Sequence, residues 1–239
     1  MTLDEISVKV LSSLEKAVGS SDWWTSTQIK EWTNDLYKEI ASITGVIKKR
    51  TTDTVSVAEQ ADYEPDVPAG YDNVIGILAA TYDGKDLEEK DVELLDETFH
   101  KWREDTSGTP QYWYFEDGNF PTTVSLYKVP STADLEIGIT LILIPSTMID
   151  GGSPLAPFED GLLLIDGVCS VALQVAGGGR DLDMADYFWG KFQEKLNIII
   201  KGQKQKRRYR RLRMSGEGSG PVGPSFGSNY PSNLFGEDY

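Results

Sequence analysis

Two segments near the start of the chain carry hydrophobic residues at intervals of three and four, the spacing of amphipathic helices. Thr2-x-x-Glu5 and Thr25-x-x-Gln28 stand at their beginnings with the spacing of a capping box, and a glycine follows each segment. We therefore expect two short helices that pack as a hairpin across a tight Gly-Ser connection. The apolar stripe of the first helix is Leu3, Ile6, Val10, Leu14 and Val18, and that of the second is Ile29, Trp32, Leu36, Ile40 and Ile43.

After residue 45 the pattern changes to β-branched and aromatic runs that are interrupted by Pro, Gly and Asp. Strands are predicted at VIGILAATY, QYWYFED, TTVSLYKV and ADLEIGITLILIP, and Asp83-Gly84 is a typical hairpin-turn dipeptide. The intervening segment DVELLDETFHKWREDTSGTPQ is predicted as a short helix or an irregular crossing. About five strands in some hundred residues indicate an antiparallel sheet or a small barrel.

Helical spacing returns from Phe158 onwards, again in two segments. The first, FEDGLLLIDGVCSVALQVA, ends at a run of three glycines, and Asp181 is placed to cap the second. A basic run and the tail SGEGSGPVGPSFGSNYPSNLFGEDY follow, and the tail has too much Gly, Pro and Ser to fold alone. The apolar stripe of the second helix is Leu182, Ala185, Phe188, Phe192, Leu196 and Ile199.

This order of elements predicts an α+β protein with a β segment inserted between two helix pairs. Each pair alone leaves an apolar stripe uncovered, so we expect the four helices to form one bundle that carries the β domain. The predicted domains are 1–45 (N-terminal helix pair), 46–150 (inserted antiparallel β domain), 151–201 (C-terminal helix pair) and 202–239 (a basic, then Gly/Pro-rich C-terminal arm).

Charge is distributed unevenly along a chain whose formal net charge is −15. Residues 1–200 carry 35 acidic and 15 basic side chains, whereas residues 201–214 carry eight Lys or Arg and no acid. An acidic body repels nucleic acid at long range, so a DNA contact would have to be local to the basic run. Three interpretations of this run remain open: a solvated terminus, a nucleic-acid patch, or an arm that docks on a neighbouring subunit.

Candidate catalytic and metal-binding chemistry is sparse. His100 is the only histidine and Cys169 the only cysteine, which excludes His/Cys metal clusters and an intrachain disulfide. His100 lies in a charged segment, and Cys169 lies among apolar helix residues, the setting of an inert thiol. Adjacent carboxylates such as Glu116-Asp117 leave a glycosidase pair possible by composition alone. We predict no catalytic residue, no cofactor and no metal.

Two aromatic clusters and one glycine run are ambiguous. The strand residues 112–115, YWYF, could stack on sugars or bases, but a strand covered on both faces predicts the same composition. Trp23-Trp24, at a helix–helix connection, could anchor a partner or staple the bundle. The segment 177–180, GGGR, precedes a helix that could hold phosphate, although acidic residues in its first turn favour a simple interhelix turn.

The basic run is the most informative feature because it joins a folded bundle to a tail that still contains aromatic and aliphatic residues. A tail that orders on a neighbour would use the positive residues for steering and the apolar residues as anchors. We therefore predict a partner-binding segment that consists of Lys204, Lys206, Arg207, Arg208, Tyr209, Arg210, Arg211, Leu212, Phe226 and Phe235.

No address or membrane segment is visible in the sequence. The N-terminus begins with acidic residues in an amphipathic segment, unlike a secretory signal, which begins with basic residues. The longest apolar runs, LILI and LLLI, are far too short to span a bilayer. We expect no membrane partner.

Several segments together resemble the head-to-tail adaptor proteins of tailed bacteriophages. They are DVPAGYDNVIGILAATYDG, WREDTSGTPQYWYFED, VSLYKVPSTADLEIGITLILIPS and the closing ADYFWGKFQEKL, so that the resemblance covers roughly residues 1–200. Its most specific element is the order Trp102, Gly108, Pro110 and Tyr112, followed by the LYKVPS turn. This is a pattern of order and spacing, and it contains no active-site signature.

The resemblance implies a non-enzymatic virion protein of the phage neck, assembled in the host cytoplasm. Such adaptors form a homo-dodecameric ring beneath the portal protein, extend the DNA channel through which the genome passes, and give the tail or nozzle protein its attachment surface. In relatives the helical bundle forms the ring wall, and a C-terminal arm reaches the portal or a neighbouring subunit. This chain departs from the pattern in its tail, which is longer and more basic.

Two functions of other classes remain as alternatives. A nucleic-acid-binding accessory protein would use the basic segment 201–213 and would bind DNA in a salt-dependent manner. A carbohydrate-binding module would use the aromatic residues of the β segment.

Overall fold

The computed structural model divides into two units, the first of which is a compact body of residues 1–201, and the second begins at Gly202. The residues described are 1–19, 22–99, 101–103, 107–116, 123–155, 157–159, 161–175 and 178–214, with the backbone alone described for 203–214. The helices are α1 (Leu3–Val18), α2 (Ser26–Thr44), α3 (Val92–Thr98), α4 (Leu162–Gln174) and α5 (Leu182–Met214).

The first helix pair begins and ends where the sequence predicts. Thr2 and Thr25 each accept a hydrogen bond from the backbone N–H three residues later and form complete capping boxes with Glu5 and Gln28. The glycine after each helix lies in the left-handed conformation, with φ of 83° and 55°. Both capping predictions are therefore confirmed.

The β segment contains two four-stranded sheets and one two-stranded sheet. Their strand orders are β1-β10-β3-β4, β2-β8-β7-β5 and β6-β9. The strands are β1 (Lys48–Val55), β2 (Asp62–Tyr63), β3 (Tyr71–Tyr82), β4 (Lys85–Asp86), β5 (Glu88–Glu89), β6 (Ser107–Gly108), β7 (Tyr112–Tyr114), β8 (Val124–Tyr127), β9 (Val129–Pro130) and β10 (Glu136–Pro145).

Antiparallel pairing dominates these sheets, as predicted, and the α+β class is confirmed. Asp83 and Gly84 join β3 to β4 with φ of 48° and 71°, and two positive φ angles match the hairpin turn that this dipeptide predicts. The expectation of about five strands was too low, because it missed the two-residue strands. Among the latter, β5 pairs with β7 and β6 with β9 in parallel.

Helices and sheets share one continuous hydrophobic core. Buried residues of α1, α2 and α4 belong to the same cluster as those of β3, β8 and β10, so the β segment packs directly on the helices. A second, smaller cluster holds α3 against β7 and β8, and it consists of Leu95, Trp102, Tyr114 and Tyr127, flanked by Val92, Phe99 and Tyr112.

The four helices do not form an even bundle over the residues described. Helices α1, α2 and α4 are in mutual close contact, whereas α5 lies against them through large side chains, Phe188 and Phe192. Gly167 of α4 marks the junction: a β-carbon there would lie 2.4 Å from Leu36 of α2 and 3.0 Å from the Phe192 ring. The predicted four-helix bundle is thus not confirmed.

The start of α5 is fixed by local contacts and one ion pair. Asp181 accepts a hydrogen bond from the Met184 N–H at 3.0 Å, the predicted cap. Farther along, the Lys195 ammonium pairs with the largely buried Asp166 carboxylate of α4 and donates to the Leu162 carbonyl at 3.3 Å. The first part of α5 therefore has a defined orientation on the body.

Candidate partner-binding site

The predicted partner-binding segment lies at the end of α5. The helix continues through the basic run to Met214, so the backbone at residues 204–212 is helical. The structure does not describe their side chains, and Phe226 and Phe235 lie outside the described residues. Lys204, Arg208 and Arg211 follow one another at intervals of four and three, where like charges destabilise a helix. An acidic partner would remove that repulsion.

The exposed face of α5 carries apolar side chains that the predicted stripe did not include. Ala185, Phe188 and Phe192 of that stripe are buried, as expected, while Leu182 is half exposed. Tyr187 and Ile198 lie on another side of the helix and expose 52% and 65% of their surface. The Lys191 ammonium lies 4.3 Å from the centre of the Tyr187 ring. Sequence reasoning missed this face because it assigned a single apolar stripe to the helix.

The two tryptophans of the α1–α2 connection have different environments. Trp24 is buried and its indole N–H donates to the Ala172 carbonyl at 3.2 Å, which makes it a staple between the helix pairs. Trp23 remains 46% exposed and packs against Gly178, where a β-carbon would lie 2.8 Å from its Nε1. The glycines between α4 and α5 therefore form a turn that accommodates indole rings, and Gly177 lies outside the described residues.

The aromatic strand YWYF does not offer free ring faces for stacking. Trp113 and Tyr114 are buried in the two hydrophobic clusters. Tyr112 is covered by Phe99 at 5.6 Å between ring centroids and by the Lys90 ammonium at 5.2 Å. Phe115 packs against Trp113 at 5.2 Å. A strand covered on both faces, which was one of the two interpretations, agrees with this geometry.

The remaining candidate groups are His100 and the Glu116-Asp117 pair. His100 and Asp117 lie outside the described residues, and Glu116 is exposed. In the described part of the chain, no group of three acidic, histidine or cysteine side chains is arranged to hold a metal ion. Within the same residues, no helix has the length and apolarity needed to cross a bilayer.

Cys169 is fully buried on α4, with its Sγ 4.0 Å from the Val10 carbonyl of α1. Burial, and secondarily the nearby Asp166 carboxylate, raise the pKa of the Cys169 thiol to about 12. Both effects disfavour the thiolate, which is the nucleophilic form. The expected burial of this thiol is confirmed, and its inertness stays a prediction.

We predict that Cys169 in the folded protein resists thiol reagents. A thiol with a pKa of about 12 has a thiolate fraction near pH 8 that is roughly a thousandfold below that of an ordinary cysteine, and burial slows the reagent further. Labelling with a chromogenic disulfide in buffer and in concentrated urea measures this difference, since unfolding should restore the ordinary rate. Rapid labelling of the native protein would contradict the packing described for α4.

One family model matches most of the chain. The family model described as SU10 adaptor protein matches residues 1–216, which includes the whole of α5 and the basic segment but leaves most of the tail outside. The chain has no match among curated proteins.

Proposed function

Because this chain belongs to the SU10 adaptor protein family, a family of bacteriophage head-to-tail adaptors, we propose that it forms a ring beneath the portal protein. The ring, a homo-dodecamer, extends the DNA channel and provides the surface to which the tail or nozzle protein attaches. The protein thus lies in the virion neck, after assembly in the host cytoplasm. The observation that carries this proposal is the family match over residues 1–216.

The distribution of charge supports a channel-lining role. Residues 1–200 have a balance of −20, and an acidic wall would not retain DNA in transit. The family is a structural one and not a class of enzymes. A structural, non-enzymatic role is therefore the function that these features support best.

The basic segment at the end of α5 is proposed to bind the portal or an adjacent subunit. Eight cations between Lys201 and Met214 would meet an acidic protein surface with complementary charge. Tyr209, Leu212, Phe226 and Phe235 would add apolar contacts at the same interface.

The proposal is tested by imaging. When portal rings are added, negative-stain micrographs should show rings of the purified protein. Native mass spectra should show the added mass of a dodecamer on each portal. The acidic surface should oppose spontaneous association, so the protein alone is expected to be largely monomeric at low salt. A protein that stays monomeric with portal rings, at low and moderate salt alike, is not a ring-forming adaptor.

One alternative keeps a specific observation in its favour. The same basic run could bind nucleic acid, with the acidic body held away from the phosphates. Affinity for duplex DNA that falls steeply between 50 and 200 mM salt would support it, because phosphate contacts release counterions. A carbohydrate-binding role has no such support, since the aromatic residues that would carry it are covered.

A further inference from the structure

Helix α5 is anchored to the body through its first part. The side chains of Phe188 and Phe192 are buried in the hydrophobic core, and the Lys195 ammonium pairs with the Asp166 carboxylate of α4. Among the described side chains of α5, Ile199 is the last that packs on the core. The anchoring contacts that are described for this helix thus end at Ile199.

Gly202 lies just beyond the last anchoring contact, in the interior of the helix. It is exposed, and a β-carbon built there would meet no described atom within 4 Å. The division of the chain into two units also falls here, since the second unit begins at Gly202. Packing does not require glycine at this position, although glycine is less favourable than alanine inside a helix. Gly202 therefore weakens α5 at the point where its anchoring contacts end.

The helical segment that follows this glycine gains little stability from its own sequence. Residues 203–214 continue α5, and an isolated helix of about twelve residues is marginal in water. No apolar residue stands between Ile200 and Tyr209, so the first two turns have no apolar stripe with which to pack. Lys204 and Arg208, four residues apart, repel each other, and the favourable interaction of cations with the helix dipole is confined to the last turn.

We propose that Gly202 is a hinge at which α5 opens when the basic segment binds its partner. This inference rests on the proposed attachment of that segment to the portal or an adjacent subunit. The first part of α5 keeps its place on the body, while the residues after Gly202 leave the helix and follow the partner's surface. Opening costs little at this point because few stabilising interactions are lost, and glycine adopts unusual backbone angles without a steric penalty.

A rigid α5 is the alternative to the hinge. In that case the helix must stay intact at residue 202 in the bound state, so a residue that favours helix there should strengthen binding. The hinge requires the helix to open, so the same residue should weaken binding. Substitutions at this position therefore distinguish the two by the sign of their effect.

Two substitutions at Gly202 test the hinge through co-sedimentation with portal rings. Gly202→Ala is expected to weaken attachment about two- to fivefold, because alanine stabilises the unopened helix of the free protein. Gly202→Pro interrupts the helix at the same point and is expected to attach within about twofold of the unaltered protein. A rigid helix predicts the reverse, namely a gain for alanine and a loss of about a hundredfold for proline.

Gly190→Ala is the matched control, because it makes the same change in the anchored part of α5. A β-carbon there also meets nothing within 4 Å, and this variant should attach like the unaltered protein. Urea unfolding followed by circular dichroism should show that each variant has a folded body. If Gly202→Pro does not fold, the sign of the alanine effect decides.

The outcomes separate the inference from the proposed function. If Gly202→Ala attaches as tightly as the unaltered protein or more tightly, or if Gly190→Ala weakens attachment as much, Gly202 is not a hinge. A loss of about a hundredfold in Gly202→Pro, with its body folded, also overturns the inference. If the unaltered protein does not attach to portal rings, the proposed function itself fails.

Discussion

Replacing Arg207, Arg208, Arg210 and Arg211 with serine is expected to prevent stable attachment of the protein to the portal. If each arginine contributes about 0.5–1 kcal/mol through a partly exposed ion pair, the four together amount to roughly 2–4 kcal/mol. That corresponds to an affinity loss of roughly thirtyfold to a thousandfold. Co-sedimentation of the variant with portal rings measures the loss, and the affinity of the unaltered protein should fall as salt rises.

The matched control removes the same charge from the body. Lys9, Lys16, Lys85 and Lys101 are exposed, and their replacement with serine should leave attachment close to normal.

Deletion of residues 202–239 should leave a folded body that cannot join the particle, whereas deletion of 217–239 retains every residue that the family model matches. If the longer truncation still assembles and only DNA binding is lost, the segment is a nucleic-acid element.

Gly167→Ala is expected to destabilise the protein by about 1–3 kcal/mol. The added methyl group would lie 2.4 Å from Leu36 Cδ2 and 3.0 Å from the Phe192 ring. Leu36 and Phe192 are both buried, so neither side chain can move aside without displacing its own neighbours. Urea unfolding followed by circular dichroism should show a lower midpoint with an unchanged slope.

Gly190→Ala, in helix α5, provides the control. A β-carbon at Gly190 meets nothing within 4 Å, so alanine should stabilise α5 by about 0.5–1 kcal/mol through its higher helix propensity. The two substitutions are chemically identical and are expected to have opposite signs. Equal effects would mean that α2, α4 and α5 do not meet at Gly167 as described.

Features with local causes could be predicted from the sequence. The capping boxes at Thr2 and Thr25, the cap at Asp181 and the Asp83-Gly84 turn all occur where they were expected. Each depends on hydrogen bonds or dihedral angles within about four residues, so no tertiary information is needed.

Strand pairing could not be predicted in the same way. The ladder between β3 and β10 shifts register three times, after Thr140, Ile142 and Ile144 of β10. Each shift moves a residue of β3 out of strict alternation, because register depends on the partner strand. The two-residue strands carry too little sequence to signal themselves, and the parallel partners of β5 and β6 lie distant along the chain.

Part of the candidate site could be predicted from the sequence, and part of it could not. The basic segment is visible in composition alone, and its residues stay a prediction. Helix α4 is buried on nearly every side, so its sequence shows no stripe that would say which helices cover it. For that reason the exposure of Tyr187 and Ile198 could not be foreseen from periodicity.

The fluorescence of the six tryptophans depends on which of them are exposed to solvent. Trp24, Trp102 and Trp113 are buried, whereas Trp23 and Trp189 are exposed, the latter 39% so and stacked on Phe192 at 4.9 Å. Acrylamide therefore reaches the indoles of Trp23 and Trp189 before those of the core, and a partner that covers α5 would shield Trp189. Emission that becomes bluer and less quenched during assembly would reveal, without any attached dye, when this end of the molecule is covered.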